Sequence, residues 1–333
     1  MIRMIVWTTF IAVTFVPVLE AADLVQTEFI FTEASFEQCH ASTIVELRNG
    51  DLMAAWFGGL EEGDESVAIW GSVRSNGKWS SPFELAREPN MPCWNPVLFL
   101  DAGSKLWLFY KVGPSPREWS GVYKTSEDGG KTWSPQTILP AGLLGPIKNK
   151  PVMLSNGDII CGTSIESYKA WTCWVEISSD TGRTWQKYGP IFVPDENHGI
   201  IQPTIWETAE GHVKMLVRST HRIGFVCQAV SRDMGRTWGP ATRTNLPHPG
   251  SGLDAVKLRT GQVALVYNHT KQGRSPLNVA FSRDDGRSWD APIVLENEPG
   301  EYSYPAIIQG TDGNLHITYT WKRQRIKYAM VKP

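Results

Sequence analysis

Six times along the chain a short apolar run meets a glycine-centred turn and leaves it as a second apolar run: ELRNGDLMAAW, LDAGSKLWLFY, MLSNGDIICGT, ETAEGHVKMLV, KLRTGQVALVY and QGTDGNLHITY. The turn glycines are Gly50, Gly103, Gly157, Gly211, Gly261 and Gly313, at steps of 53, 54, 54, 50 and 52 residues. A unit of that size recurring at a steady period cannot bury its own apolar face and must stack on its neighbours. Here the unit is strands and turns throughout. That predicts an all-β fold, a six-bladed β-propeller with four antiparallel strands per blade around a central channel. Closure is expected to pair residues 27–31 with residues 326–330, which removes the open edge of the ring.

The first 22 residues read as a secretory signal, with Arg3, an apolar run from Met4 to Leu19 and small residues at Ala21 and Ala22. The run is short and interrupted by Pro17, which argues against a membrane anchor. A secreted or periplasmic protein is therefore expected. Residues 23–333 divide into six units of about 52 residues, so a single domain uses them all. The net charge of −2 and scattered Lys and Arg form no basic stripe, which makes nucleic acid and anionic membranes poor partners. Five cysteines, Cys39, Cys93, Cys161, Cys173 and Cys227, have no metal-type spacing and read as buried thiols with few or no disulfides. No metal or other cofactor is expected, since the histidines lack ligand spacing, and the chain is expected to be a monomer.

A second motif keeps time with the first: SEDGGKTW, SSDTGRTW, SRDMGRTW and SRDDGRSW, ending at Trp133, Trp185, Trp238 and Trp289, with a worn copy, SVRSNGKW, ending at Trp79. In each good copy the Asp can accept backbone N–H bonds within a tight turn while the Trp anchors the hairpin. Asp128, Asp180, Asp233 and Asp284 are accordingly structural. The fifteen Trp serve first to fill the wedges between blades.

In such a ring, positions of equal phase gather around the axis. Eight to eleven residues before the turn glycines stand His40, Asn95, Lys148, Gln202 and Tyr302; six to nine residues after them stand Lys111, Glu166, Arg218, Asn268 and His269. Polar groups recurring at matched phases point to a ligand at one end of the channel, and the cations Lys111, Lys148, Arg218 and Arg274 point to an anionic one, such as a sugar acid. The acidic loop GGLEEGDES contributes Glu62 and Asp64 as candidate acids.

The second motif is that of Asp-box repeats, and the chain resembles the sialidase superfamily over nearly its whole length after the leader. MLVRST resembles the segment of a carboxylate-binding arginine, implying that role for Arg218. GRSPLNVAFSRDDGRSW implies Arg274, and EYSYPAIIQGTDGNLHITY implies a tyrosine nucleophile at Tyr302. The resemblance implies an exo-sialidase-like glycoside hydrolase in which an acid, Asp64 or Glu62, protonates the leaving oxygen. Two departures stand out. FEQCHAS replaces the Phe-Arg-Ile-Pro motif of the first arginine, leaving Cys39 or His40 in its slot. IIQPTI puts Gln202 where a glutamate would draw the proton from the tyrosine. His40, His269 or Glu301 are the candidates to take over that role. A uronate lyase using His40, Tyr302 and Arg218, or a non-catalytic binder of acidic glycans, fits the same pocket.

Overall fold

A computed structural model describes residues 22–196 and 199–333 of the chain, so the expected leader, apart from Ala22, lies outside the described residues. Each repeat is a blade, and six sheets follow one another around the ring. Blade 1 comprises Gln38–Glu46, Leu52–Gly59 and Ala68–Ser75, with Lys78–Trp79 and Phe83–Ala86 both on its outer side. Blade 2 comprises Cys93–Leu100, Leu106–Val112, Ser120–Ser126 and Thr137–Ile138, and blade 3 Val152–Met153, Ile159–Glu166, Trp171–Ser178 and Gln186–Ile191. Blade 4 comprises Ile200–Glu207, Val213–Ser219, Phe225–Ser231 and Thr242–Pro247, and blade 5 Asp254–Lys257, Val263–Tyr267, Leu277–Ser282 and Ile293–Glu296. Blade 6 comprises Tyr302–Gln309, Leu315–Trp321 and Arg325–Lys332, completed by the N-terminal strand Asp23–Phe29. That last strand runs antiparallel to Arg325–Lys332 with Thr27 opposite Ala329 and Phe29 opposite Lys327, as ring closure requires.

The second strand of a blade is apolar without alternation, as in LWLFYKV and VALVY, because neighbouring blades cover both of its faces. The cores therefore lie in the seams. One seam joins Met53, Phe57 and Leu85 of blade 1 to Leu98, Leu106 and Tyr110 of blade 2, and another joins Ile160 and Val175 of blade 3 to Met215 and Val217 of blade 4. Trp56 and Trp206 are fully buried in such seams. All five cysteines are buried free thiols.

The aspartates of the second motif bond inside their own turns. Asp180 accepts from the Ser178 hydroxyl at 2.8 Å, from the Thr184 amide at 2.9 Å and from the Thr184 hydroxyl at 2.6 Å, and Asp128, Asp233 and Asp284 repeat the pattern.

Five of the six first-motif turns carry glycine in the left-handed region, for example Gly50 at φ 84° and Gly313 at φ 89°. A Cβ added at either would meet nothing within 4 Å, so it is the backbone angle that selects glycine there. In blade 2 the left-handed residue is Ser104, at φ 67°, and not Gly103. With Ser104 as origin the six repeats fall into stricter phase. Nine residues before each turn stand Ala41, Asn95, Lys148, Gln202, Gly252 and Tyr304. The five that are not glycine have φ between 41° and 73°. In four blades the register of the innermost pair slips at this point, between His40 and Thr43, Trp94 and Val97, Ile201 and Thr204, and Ser303 and Ala306. The bulge re-aims the side chains at the start of the inner strand.

Candidate active site

The ring of bulges organises a cluster around Tyr304. Its phenolic oxygen accepts from Arg218 Nη1 at 2.7 Å and from Gln202 Nε2 at 3.1 Å, while the same Arg218 nitrogen donates to Gln202 Oε1 at 3.3 Å. The guanidinium groups of Arg218 and Arg274 lie 5.7 and 5.8 Å from the Tyr304 ring centre. The His40 ring sits 4.1 Å from that of Tyr304, tilted by 48°. Its Nδ1 bonds Thr320 Oγ1 at 3.0 Å. Burial first, and then the charges of Arg323, Arg274, Arg218 and Lys148, push the His40 imidazole far below its ordinary 6.5, so it is neutral.

Tyr302, expected to carry the nucleophile, does not join this group. It is 1% exposed in the apolar cluster of Leu277, Leu295 and Tyr319 between blades 5 and 6, where burial, followed by Glu296 and Glu298, raises its pKa. In a regular strand Tyr302 and Tyr304 would share a face. The bulge after Ser303 breaks that period and turns Tyr304 alone toward Arg218.

Arg323, which the sequence reading missed, enters the same neighbourhood from the hairpin between the second and third strands of blade 6. Its Nε donates to Glu301 Oε1 at 2.7 Å, and its Nη1 donates to Glu62. Glu301 Oε1 also accepts from Arg274 Nη1 at 2.6 Å and from Ser303 Oγ at 3.0 Å. Burial acts to raise the Glu301 pKa, but Arg274 and Arg323 outweigh it and hold the carboxyl below its ordinary range. The Arg323 carbonyl accepts from the Cys39 amide at 2.8 Å, which fastens the hairpin to blade 1 beside the slot where an arginine was missing. Lys322 and Arg323 both have positive φ, 53° and 60°, in a turn with neither glycine nor asparagine, and strain of that kind collects at functional sites.

Several of the expected ligand-binding groups are engaged within the protein. Lys111 is wholly buried and donates to the Pro146 carbonyl at 3.0 Å, and burial pushes its pKa down to about 8. Lys148, at 1% exposure, donates to Asn149 Oδ1 at 2.9 Å, to the Leu253 carbonyl at 3.0 Å and to the Pro305 carbonyl; burial pushes it down to about 7. It underlies the site: a Cβ on Gly252 would come within 3.1 Å of the Tyr304 ring and 3.2 Å of Lys148 Cε. Asn268 spends its amide on the carbonyls of Arg274, Pro276 and Tyr302, at 2.9 to 3.0 Å, and so seats the Arg274 loop. His269 turns to the Tyr267 hydroxyl. Asp64 caps its own loop, accepting from the Ser66 amide at 2.8 Å, and its bonds to Ser66 lower its pKa, the reverse of what a proton donor near neutrality needs. Asn95, buried with φ 41°, supplies the blade 2 member of the ring of bulges. Glu166, half-buried at the end of its strand, lies within the fields of Arg218, Arg117 and Glu62; burial raises its pKa.

A separate cleft of about 520 Å³ is lined by Arg48, Asn49, Asp51, Ser104 and Lys131 at the turn end of blades 1 and 2 and includes none of the groups around Tyr304. Among the described residues no three His, Cys, Asp or Glu side chains are placed to hold a metal ion.

A family model described as a BNR repeat-like domain matches residues 50–317. The chain belongs to that family. A curated relative, a sialidase of Micromonospora viridifaciens, is 29% identical over 219 residues, covering 59% of this chain and 32% of the relative. The chain thus spans about a third of that protein's length. Among solved structures, a protein of unknown function from Dyadobacter fermentans superposes with a TM-score of 0.79 at 18% identity, covering 93% of this chain and 99% of the other. A Hadza microbial sialidase superposes with a TM-score of 0.76 at 17% identity, covering 88% and 65% respectively. At such identities the superpositions speak to the fold, a sialidase-like propeller. Within this BNR-repeat propeller, the three guanidinium groups reach the site from blade 4, the loop of blade 5 and the hairpin of blade 6.

Proposed function

We propose that this BNR-repeat protein is a sialidase-like glycoside hydrolase that cleaves a terminal acidic sugar from glycans, and that it works outside the cytoplasm, in keeping with the signal-like start of the sequence. The observation that carries the chemistry is the double donation onto Tyr304. A phenolic oxygen that accepts from both Arg218 and Gln202 is held as the negative end of the pair, and its own proton has to point elsewhere or leave. With that proton lost to water, the oxygen is a nucleophile for the anomeric carbon. The sugar carboxylate would take its place among Arg218, Arg274 and Arg323, planar donors suited to it.

Tyr304 attacks the anomeric carbon, the bond to the leaving oxygen breaks, and an acid supplies that oxygen with a proton. Water then displaces Tyr304 from the anomeric carbon, giving its proton to the conjugate base of that acid, and both groups return to their starting state. Tyr304→Phe is expected to abolish release of free sugar acid from sialosides. Arg218→Ala is expected to lower kcat/KM at least ~100-fold, since it removes both a carboxylate partner and a donor to the nucleophile. A Tyr304→Phe variant with parental turnover would end this reading.

The neutral imidazole of His40 packed against Tyr304 favours one second reading, a uronate lyase in which this pair handles the sugar C5 proton. Ultraviolet absorbance of an unsaturated uronide, released from uronic-acid oligosaccharides, would select it over hydrolysis. Tight binding of acidic glycans without turnover would leave a binding module.

A further inference from the structure

The carboxylates near the arginines are not equivalent. Glu301 is spent on Arg274 and Arg323, Glu62 on Arg323, and Asp64 on its own turn. Glu166 differs from all three: among the described residues no hydrogen bond holds its carboxylate. Its direction follows from the pleat. Ser164 and Glu166 are two apart on Ile159–Glu166, so they share a face, and Ser164 Oγ accepts from the Gln202 amide at 3.4 Å. Glu166 therefore faces blade 4, the blade that supplies Gln202 and Arg218. Two residues on, Tyr168 is 71% exposed, and Arg117 from the blade 2 loop lies 4.3 Å from its ring centre, so a cation stacked on an aromatic ring bridges two blades beside Glu166.

We infer that the leaving-group side of the site lies on blades 2 and 3, with Glu166 donating the proton to the departing glycosidic oxygen and the Arg117–Tyr168 stack seating the departing sugar. This rests on the hydrolytic reading above. In the first step the proton moves from the Glu166 carboxyl to the leaving oxygen as Tyr304 bonds to the anomeric carbon. In the second, the Glu166 carboxylate takes a proton from the attacking water as the bond to Tyr304 breaks, so the enzyme returns to its starting state. The environment suits a donor: burial favours the protonated carboxyl, Glu62 adds to that, and Arg218 and Arg117 oppose it.

The test compares two glycosides of N-acetylneuraminic acid. Sialyllactose has a sugar leaving group that needs a proton, and the 4-methylumbelliferyl glycoside has an activated one that does not. Glu166→Gln is expected to lower kcat for sialyllactose ~100-fold or more while changing kcat for the aryl glycoside less than about fivefold, and to remove the alkaline limb of the sialyllactose pH profile. Tyr168→Ala is expected to raise KM for sialyllactose several-fold with little change in kcat. Equal losses on both substrates in Glu166→Gln, or the leaving-group-dependent loss appearing in Asp64→Asn instead, would overturn the assignment. A parental protein that binds sialyllactose but cleaves neither glycoside would remove the hydrolytic reading itself, and the acid role with it.

Discussion

Gln202 is the residue at which this site parts from the expected arrangement. Where a glutamate would pull the proton from the tyrosine, the amide donates to the phenolic oxygen and accepts from Arg218. Both donors would stabilise negative charge on the Tyr304 oxygen as it develops. Gln202→Glu replaces a donor with an acceptor that must itself be ionised to work. The variant should acquire an acid limb in its kcat/KM profile near the ordinary glutamate value of ~4.3, absent from the parent. An unchanged pH profile would show that the side chain at this position does not govern the state of Tyr304. Arg323 makes a related point. A first arginine is missing from the start of blade 1, but a guanidinium arrives beside that slot from the blade 6 hairpin, and Glu301 and Glu62 hold it there.

Two recurring devices act at the level of the element. The bulge nine residues before the turn in blades 2, 4 and 6 aims Asn95, Gln202 and Tyr304, whereas Gly252 of blade 5 leaves room for the Tyr304 ring and Lys148. The aspartate turns hold the hairpins, and their hydrogen bonds lower the carboxyl pKa values. In Asp180 the Thr184 hydroxyl, the Thr184 amide and the Ser178 hydroxyl lower the carboxyl to about 2, against ~3.9 for an unfolded aspartate. A carboxyl depressed by folding stabilises fully above its unfolded value, and that contribution is lost as pH falls through the folded one. Asp180→Asn should therefore lower Tm at pH 6, and the gap from the parent should narrow between pH 4 and pH 2. A gap independent of pH would mean that the turn is held by shape and not by charge.

For the whole molecule the decisive contact is closure. Asp23–Phe29 completes blade 6, Phe29 packs edge-on against Trp321 at 5.2 Å, and Glu28 accepts from Arg74 at 3.0 Å and from Trp79 at 3.1 Å in blade 1. One strand thus ties the last blade to the first. Removing residues 1–29 exposes the backbone of Arg325–Lys332 and loosens the neighbouring blade 6–blade 1 seam, into which Tyr328 packs. Tm should fall by on the order of 10 °C, with self-association visible by gel filtration, because several backbone bonds, the Phe29–Trp321 contact and the Glu28 bonds to Arg74 and Trp79 go together. Arg323 and Glu301 lie beside that seam, so on the proposed function loss of acidic-glycan binding is the expected accompanying result.

The sequence by itself determined the ring. Six equal periods of strand and turn admit few other solutions, and phase along the repeat named Gln202, Arg218 and His40 as neighbours before any coordinates. It could not decide between Tyr302 and Tyr304, because a bulge changes which face a side chain takes without changing composition or spacing by more than a residue. Nor could it tell the buried lysines, Lys111 satisfied by the Pro146 carbonyl and Lys148 by the carbonyls of Leu253 and Pro305 in blades 5 and 6, from cations open to a ligand. Arg323 was out of reach for the same reason: nothing local in TWKRQRIK indicates that the closing hairpin lies over the start of blade 1. Periodicity is a local property that the chain carries in its residues, whereas the direction of a side chain at a bulge, and what faces it across a seam, exist only once the blades are packed.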